Sequence, residues 1–221
     1  MIIRLTLRKY QIFLPIENFL LLTNFSANAN YAADYCLHIA RQMRANVVLC
    51  HIIEETEKIS PIEFVGFPMN GENIFKNLSN MKLFDLKKRL STENYKANHL
   101  AIEIVNSIGR MEDVLPDIIE DRNIAITVMG THENANVKNF FLSNHNQNMI
   151  LRTTIPLLLV PPTAPIGDIL KIAFAADLRH VHLDLDHIFA LVALARPINA
   201  EILSETSIHS LINIPRAAGL K

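Results

Sequence analysis

The chain has 221 residues, half of them hydrophobic, and its 21 Lys and Arg nearly balance 22 Asp and Glu for a net charge of −1. That length suits one domain of ordinary size plus a remainder, or two small ones. A near-neutral chain without a basic run gives no electrostatic case for nucleic acid or an anionic membrane as partner.

The first residues, MIIRLTLRKYQIFLPIENFLLLTNF, place Arg4, Arg8 and Lys9 before an apolar run, as a signal peptide does. Pro15, Glu17 and Asn18 interrupt that run, and no small-residue cleavage site follows. No uninterrupted apolar segment approaches the ~20 residues that span a bilayer. The expectation is a cytoplasmic protein with no membrane partner. Two cysteines, Cys36 and Cys50, cannot build a disulfide framework and read as buried free thiols.

Residues 19–23, FLLLT, are continuously apolar, as a buried parallel strand is. Ser26 can cap the helix that follows, in which Ala29, Ala33, Cys36, Leu37 and Ala40 recur at helical spacing. NVVLCHII, 46–53, is the next strand. Residues 54–78, with Pro61, Gly66, Pro68 and Gly71, read as irregular, and helix signal returns over about 80–97. AIEIVNS, 101–107, is a third strand. Gly109 marks a turn into a short helix, MEDVLPDIIEDR, with acids where the dipole favours them and Pro116 near the first turn. IAITVMG, 124–130, is a fourth strand. A loop, a helix around 144–153 and a fifth strand, IPLLLVPP, follow. Strands alternating with helices predict an α/β fold, a doubly wound parallel sheet with any ligand crevice at the carboxyl ends of the strands.

After Pro165 the pattern restarts. Asn24 aligns with Asp177 and Asn46 with Asn199, both at an offset of 153, with no gap across the helix. A second strand–helix–strand copy therefore begins near 169 and stops after about 206. Such a unit cannot cover both faces of its own two-stranded sheet. The expected organisation is an extension over 1–18, a complete domain over 19–162, a linker over 163–168 and a partial second domain over 169–221.

LLTNFSANANYAADYCLHIA, VLCHIIEE, SIGRMEDVL, ITVMGTH and IPLLLVPP, in that order and spacing, resemble the universal stress protein family in its tandem-domain form. The resemblance covers 19–162 in full and 169–206 as a half copy. It implies a five-stranded parallel sheet in the order 3-2-1-4-5 and a homodimer or pseudo-dimer that pairs through the last strand. It implies a role in survival under stress, generally without catalysis. One branch of the family binds ATP, with an acid at the end of the first strand, an adenine-lining residue after the second, and phosphates in Gly-x-x-Gly-x9-Gly-Ser/Thr.

Carried over, the acid falls on Asn24, next to Thr23, and the adenine-lining position on Ile52. Met129 and Gly130 match the start of the phosphate loop. The second glycine falls on Glu133, the third on Ser143 and the hydroxyl residue on Asn144. Glycines let backbone N–H groups approach phosphate. Glu133 puts a side chain and a negative charge there instead, and a charge 4–6 Å from a polyphosphate costs on the order of a kcal/mol or more. A polar helix-capping loop is thus favoured over an ATP site, and no cofactor is expected. Asp177, the acid absent from the first copy, has no phosphate loop beside it and reads as a helix cap.

DLRHVHLDLDH would align His180, Asp184 and His187 on one helix face, a spacing that can hold a transition metal. Exposed His and Asp clusters without a defined outer shell are common, so no metal is expected. His51 enters the crevice without a nucleophile in sight and reads as structural. The expectation is a binding or regulatory protein rather than an enzyme. The alternatives are a nucleotide-binding switch at the strand ends, and an interaction scaffold that docks partners through its fifth strand and half domain.

Overall fold

A computed structural model describes residues 2–4, 16–54, 71–94, 100–131, 155–175 and 190–205. The chain divides into two compact units, Met1–Asp168 and Ile169–Lys221.

The first unit is built on a six-stranded sheet. Its strands are β1 (Ile2–Arg4), β2 (Asn18–Leu22), β3 (Asn46–Ile53), β4 (Ile102–Ile108), β5 (Ile124–Gly130) and β6 (Leu157–Val160). They lie in the order β1-β6-β5-β2-β3-β4. β2 to β6 are all parallel, so the expected five-stranded order is present, and β1 adds an antiparallel strand outside β6. Nothing in the N-terminal residues announced that strand. It also means that the last parallel strand does not present an open edge.

β2, β3 and β6 are buried along nearly their whole length, which is why their sequences run apolar without alternation. One sheet face carries Leu20, Leu22, Val48, Cys50, Ile52, Leu157 and Leu159, covered by Leu115 and Ile118 of α3 (Met111–Asp121). The other face is covered by α1 (Ala27–Met43) over β2, β3 and β5, and by α2 (Gly71–Asn94) over β3 and β4. The predicted apolar stripe of α1, Ala29, Ala33, Cys36, Leu37 and Ala40, is buried throughout. Ser26 caps it as expected, its Oγ accepting from the N–H of Ala29 at 3.2 Å. At its other end Arg44 takes the left-handed conformation, φ 56°. Arg89 of α2 pairs with Asp34 of α1 and so ties the two helices together. At the amino ends of the strands, Asn46 donates to Asn18 Oδ1 at 3.2 Å and accepts from the N–H of Ala101, while Asn18 donates to the carbonyl of Arg122.

Two expectations about helices need correction. α2 begins at Gly71 rather than near 80, because a glycine at a helix start breaks nothing. Its sequence also hides its amphipathicity. Ser79, Leu83, Leu86 and Leu90 are buried, while Ile74, Leu78, Met81 and Phe84 are exposed on another side of the helix. Apolar residues on opposing sides leave no single stripe to read. In α3, Pro116 is the sixth helical residue and lies past the first turn, where a proline has no N–H to give the helix.

The second unit contains β7 (Lys171–Ala175) and β8 (Glu201–Glu205), paired in parallel, with helix at 190–195 and a 3-10 turn at Arg196–Ile198. The two strand–helix–strand segments do not keep the gapless spacing expected of them. β2 pairs with β3 as Asn18↔Asn46, and β7 pairs with β8 as Lys171↔Glu201. The offset is 153 at the first strand (171 − 18) and 155 at the second (201 − 46). The helix ends agree with 155. Ala45 N–H bonds to the carbonyl of Ala40, and Ala200 N–H to that of Ala195. The left-handed residues are Arg44 and Asn199. The structural equivalent of Asn46 is therefore Glu201, and two extra residues lie between β7 and the end of the helix.

Candidate functional site

The parallel strands deliver four chain segments to their carboxyl ends. Leu22 is the register partner of both Cys50 and Met129, so the end of β2 sits between the ends of β3 and β5. The sheet reverses its winding there, which is where open α/β folds place their ligands.

Thr23 and Asn24 turn the chain sharply into α1. Thr23 N–H bonds to the carbonyl of Cys50 at 2.9 Å, and its buried hydroxyl accepts from the N–H of Phe25 at 3.0 Å. Asn24 is exposed, and its Oδ1 accepts from the N–H of Ser26 at 3.1 Å. Phe25 has φ 62°, a left-handed conformation uncommon outside Gly, Asn and Asp. Both side-chain oxygens at the end of β2 are thus occupied in shaping the turn.

Gly130 closes β5 against this turn. A Cβ there would stand 2.5 Å from the carbonyl oxygen of Asn28 and 3.1 Å from the backbone nitrogen of Ala29. The first turn of α1 rests on the bare backbone of Gly130, and that contact alone accounts for a glycine at this position. Met129 and Ile52 are drawn into the apolar cluster on the α3 face, where Ile52 is 8% exposed. The structure therefore brings Thr23, Asn24, Met129 and Gly130 together, with Ile52 one strand away. Glu133, Ser143 and Asn144 lie outside the described residues, as do Asp177 and the His180–His187 cluster. Among the described residues no group of His, Cys, Asp and Glu could hold a metal ion.

A polar network that sequence reading missed lies beside the crevice. His51 Nδ1 is 2.8 Å from Ser79 Oγ, and Ser79 Oγ donates to Asn106 Oδ1 at 3.0 Å. Asn106 Nδ2 donates to Asn80 Oδ1 at 2.7 Å and to the carbonyl of Lys76 at 3.1 Å. Since the single hydroxyl proton of Ser79 goes to Asn106, the proton between His51 and Ser79 belongs to His51. A serine nucleophile needs the opposite arrangement, with its own proton accepted by the imidazole. His51 is thus a positioned crevice residue, as its sequence context suggested, and Ser79 is buried polar structure.

Phe25 completes this side. Its ring centroid lies 4.7 Å from that of His51, and Lys82 Nζ sits 5.3 Å from the centroid of Phe25. Ser79 did leave a trace in the sequence, as a lone hydroxyl at helical spacing before Leu83, Leu86 and Leu90. Phe25 left none, because its role depends on a backbone conformation.

The β4–α3 turn follows at the carboxyl end of β4. Gly109, φ 145°, donates its N–H to the carbonyl of Ile53 at 3.0 Å. Arg110 follows, paired with the buried carboxylate of Glu112. That hydrogen bond, then the charge of Glu112, raises the Arg110 guanidinium above its ordinary range. Burial pushes the Cys36 and Cys50 thiols up to about 12, so neither is poised as a nucleophile.

The model of the universal stress protein family matches residues 15–161, more than half of the chain. A universal stress protein of Methanocaldococcus jannaschii is 24% identical over 151 residues, covering 62% of this chain and 90% of that protein. The solved structure of a universal stress protein from Archaeoglobus fulgidus superposes with a TM-score of 0.62 at 13% identity, over 90% of this chain and 71% of that one. A universal stress protein from Archaeoglobus fulgidus, solved in complex with dAMP, gives a TM-score of 0.46 at 12% identity, over 66% of this chain and 99% of that one. With the family model spanning 15–161 and the five parallel strands in the order 3-2-1-4-5, the chain belongs to the universal stress protein family.

Proposed function

We propose that this chain is a non-catalytic binding or regulatory protein of the stress response, without a resident cofactor and without tight ATP binding. The observation that carries this reading is Gly130. Its missing side chain serves the contact with Asn28 in α1, so the glycine is no sign of a phosphate cradle. The groups that would meet a nucleoside at the end of β2 are spent in the turn: Thr23 Oγ1 and Asn24 Oδ1 both accept backbone N–H groups. Asn24 is also neutral where the ATP-binding pattern has an acid. Calorimetry and thermal shift with ATP, ADP and AMP test the reading. The expected result is neither heat nor shift at millimolar ligand, and saturable binding at micromolar ATP would overturn it.

The second reading, a nucleotide-binding switch of modest affinity, draws on the exposure of Asn24 at the sheet's switch point. Asn24→Asp would strengthen nucleoside contact in that case, and the same calorimetry would record it. Assembly with a second copy of the chain through the last parallel strand is the expected mode, and it has to contend with β1.

A further inference from the structure

α2 buries Leu83, Leu86 and Leu90, and it has a second apolar side that faces solvent. Ile74, Leu78, Met81 and Phe84 follow one another at intervals of four, three and three residues, so they form a stripe along one side of the helix. Met81 and Phe84 are 64% and 63% exposed. Apolar surface gathered along one line of a helix marks a place where another surface docks.

The charges around the stripe are mostly positive. Residues 74–92 carry Lys76, Lys82, Lys87 and Lys88 against Asp85, beside Arg89, which is paired with Asp34. None of the four lysines has a carboxylate partner among the described residues. Lys82 and Lys88 stand one turn beyond Leu78 and Phe84 and so flank the stripe on its two sides. Asp85 stands one turn beyond Met81, within the stripe. The whole chain has a net charge of −1, so this positive excess is local.

We propose that this side of α2 docks an amphipathic helix of another protein, one with an apolar seam, acidic flanks and a basic residue opposite Asp85. Three observations choose this occupant. The stripe has the spacing of a helix seam, which the apolar face of a second helix fills. The unpaired lysines attract acids and repel a second copy of the same face. Asp85 inside the stripe speaks against a lipid surface, because the apolar layer offers it no cation, whereas a protein can supply one. The proposal rests on the binding role inferred above and gives it a surface. It does not involve the crevice, so its failure would leave the calorimetric test of nucleotide binding standing.

The probe is a synthetic helical peptide with a leucine seam, glutamates on both flanks and one central lysine. Its twin carries the opposite sign at every charge. Each labelled peptide is titrated with the full chain and read by fluorescence anisotropy. The acidic peptide is expected to bind about tenfold more tightly than its twin in dilute buffer, the gap closing as salt screens the flanks. Met81→Gln with Phe84→Gln should abolish binding while the melting curve of the chain is kept. Lys82→Glu with Lys88→Glu should reverse the preference between the twins. The proposal is overturned by no binding of the acidic peptide, by equal affinity for both twins, or by binding that survives the Met81 and Phe84 changes. Flotation of the chain with phosphatidylserine vesicles, lost on those same two changes, would also overturn it and assign the stripe to a lipid surface. Sedimentation showing pairs of chains that the two changes separate would assign it to a second copy instead.

Discussion

The backbone of Gly130 lies so close to Asn28 that a Cβ would sit 2.5 Å from the Asn28 carbonyl oxygen and 2.8 Å from its carbonyl carbon. Both obstacles are backbone atoms of the first turn of α1, which cannot rotate away as a side chain does. Gly130→Ala should therefore shift α1 relative to β5 and cost about 1–3 kcal/mol, as overpacking does. Thermal denaturation checks this. A loss that is the same with and without added nucleotide supports a packing glycine, and a variant as stable as the parent would show that the helix start can move freely.

The two sides of α2 give a paired prediction. Leu83 is fully buried and Met81 is 64% exposed. Leu83→Ala should cost about 2–5 kcal/mol through lost burial and the cavity left behind. Met81→Gln should stay within about 0.5 kcal/mol. Denaturant midpoints of the two variants against the parent decide it, and comparable losses would mean that Met81 is covered in solution.

How far the sequence carried can be judged from such residues. β2, β3, β5 and β6 were legible because buried parallel strands read as apolar runs, and α1 because one cap and one stripe agree. The start of α2 was not legible, since Pro68 and Gly71 resemble a loop and its apolar residues face two ways. β1 was illegible for a different reason. Three residues of an edge strand are chosen by the partner edge, not by their own pattern. At the site, Thr23, Asn24 and Gly130 could be placed from strand order. Phe25, Ser79 and Asn106 could not, because their contacts join segments 26 or more residues apart or depend on a left-handed backbone. The two-residue difference in spacing between the two strand–helix–strand segments was hidden because Asn46 and Asn199 are both asparagine, while Ala40 and Ala195, with their bonds to Ala45 and Ala200, align the two helix ends.

The network around Ser79 should be structural. Ser79→Ala leaves the Nδ1–H of His51 and the Oδ1 of Asn106 without their shared partner. Both groups are half-buried, so losing the shared hydroxyl should cost about 0.5–1.5 kcal/mol, the worth of a hydrogen bond, rather than the penalty of a fully buried unpaired group. Chemical denaturation should show that loss. NMR of the His51 ring should show Nδ1 protonated in the parent at neutral pH, and a proton on Nε2 alone would contradict the assignment.

The buried thiols offer a prediction with a defined pH window. Burial raises Cys36 and Cys50 from an ordinary value of 9.0 to about 12. In the unfolded chain a thiol starts to ionise near 9, while in the folded chain it stays protonated. Between pH 9 and about 12 the folded state therefore binds more protons than the unfolded state, and stability falls as pH rises. Below pH 9 the thiols contribute no slope. Each loses about 1.4 kcal/mol per pH unit inside the window. Other groups titrate there as well, so the measurement is a difference: the slope of unfolding free energy between pH 9 and 10.5 should be shallower in Cys36→Ala than in the parent. At pH 8 the native protein should react with a thiol reagent only as fast as it opens, and both cysteines should label at once in denaturant. Rapid native labelling of either would mean that its burial is not maintained in solution.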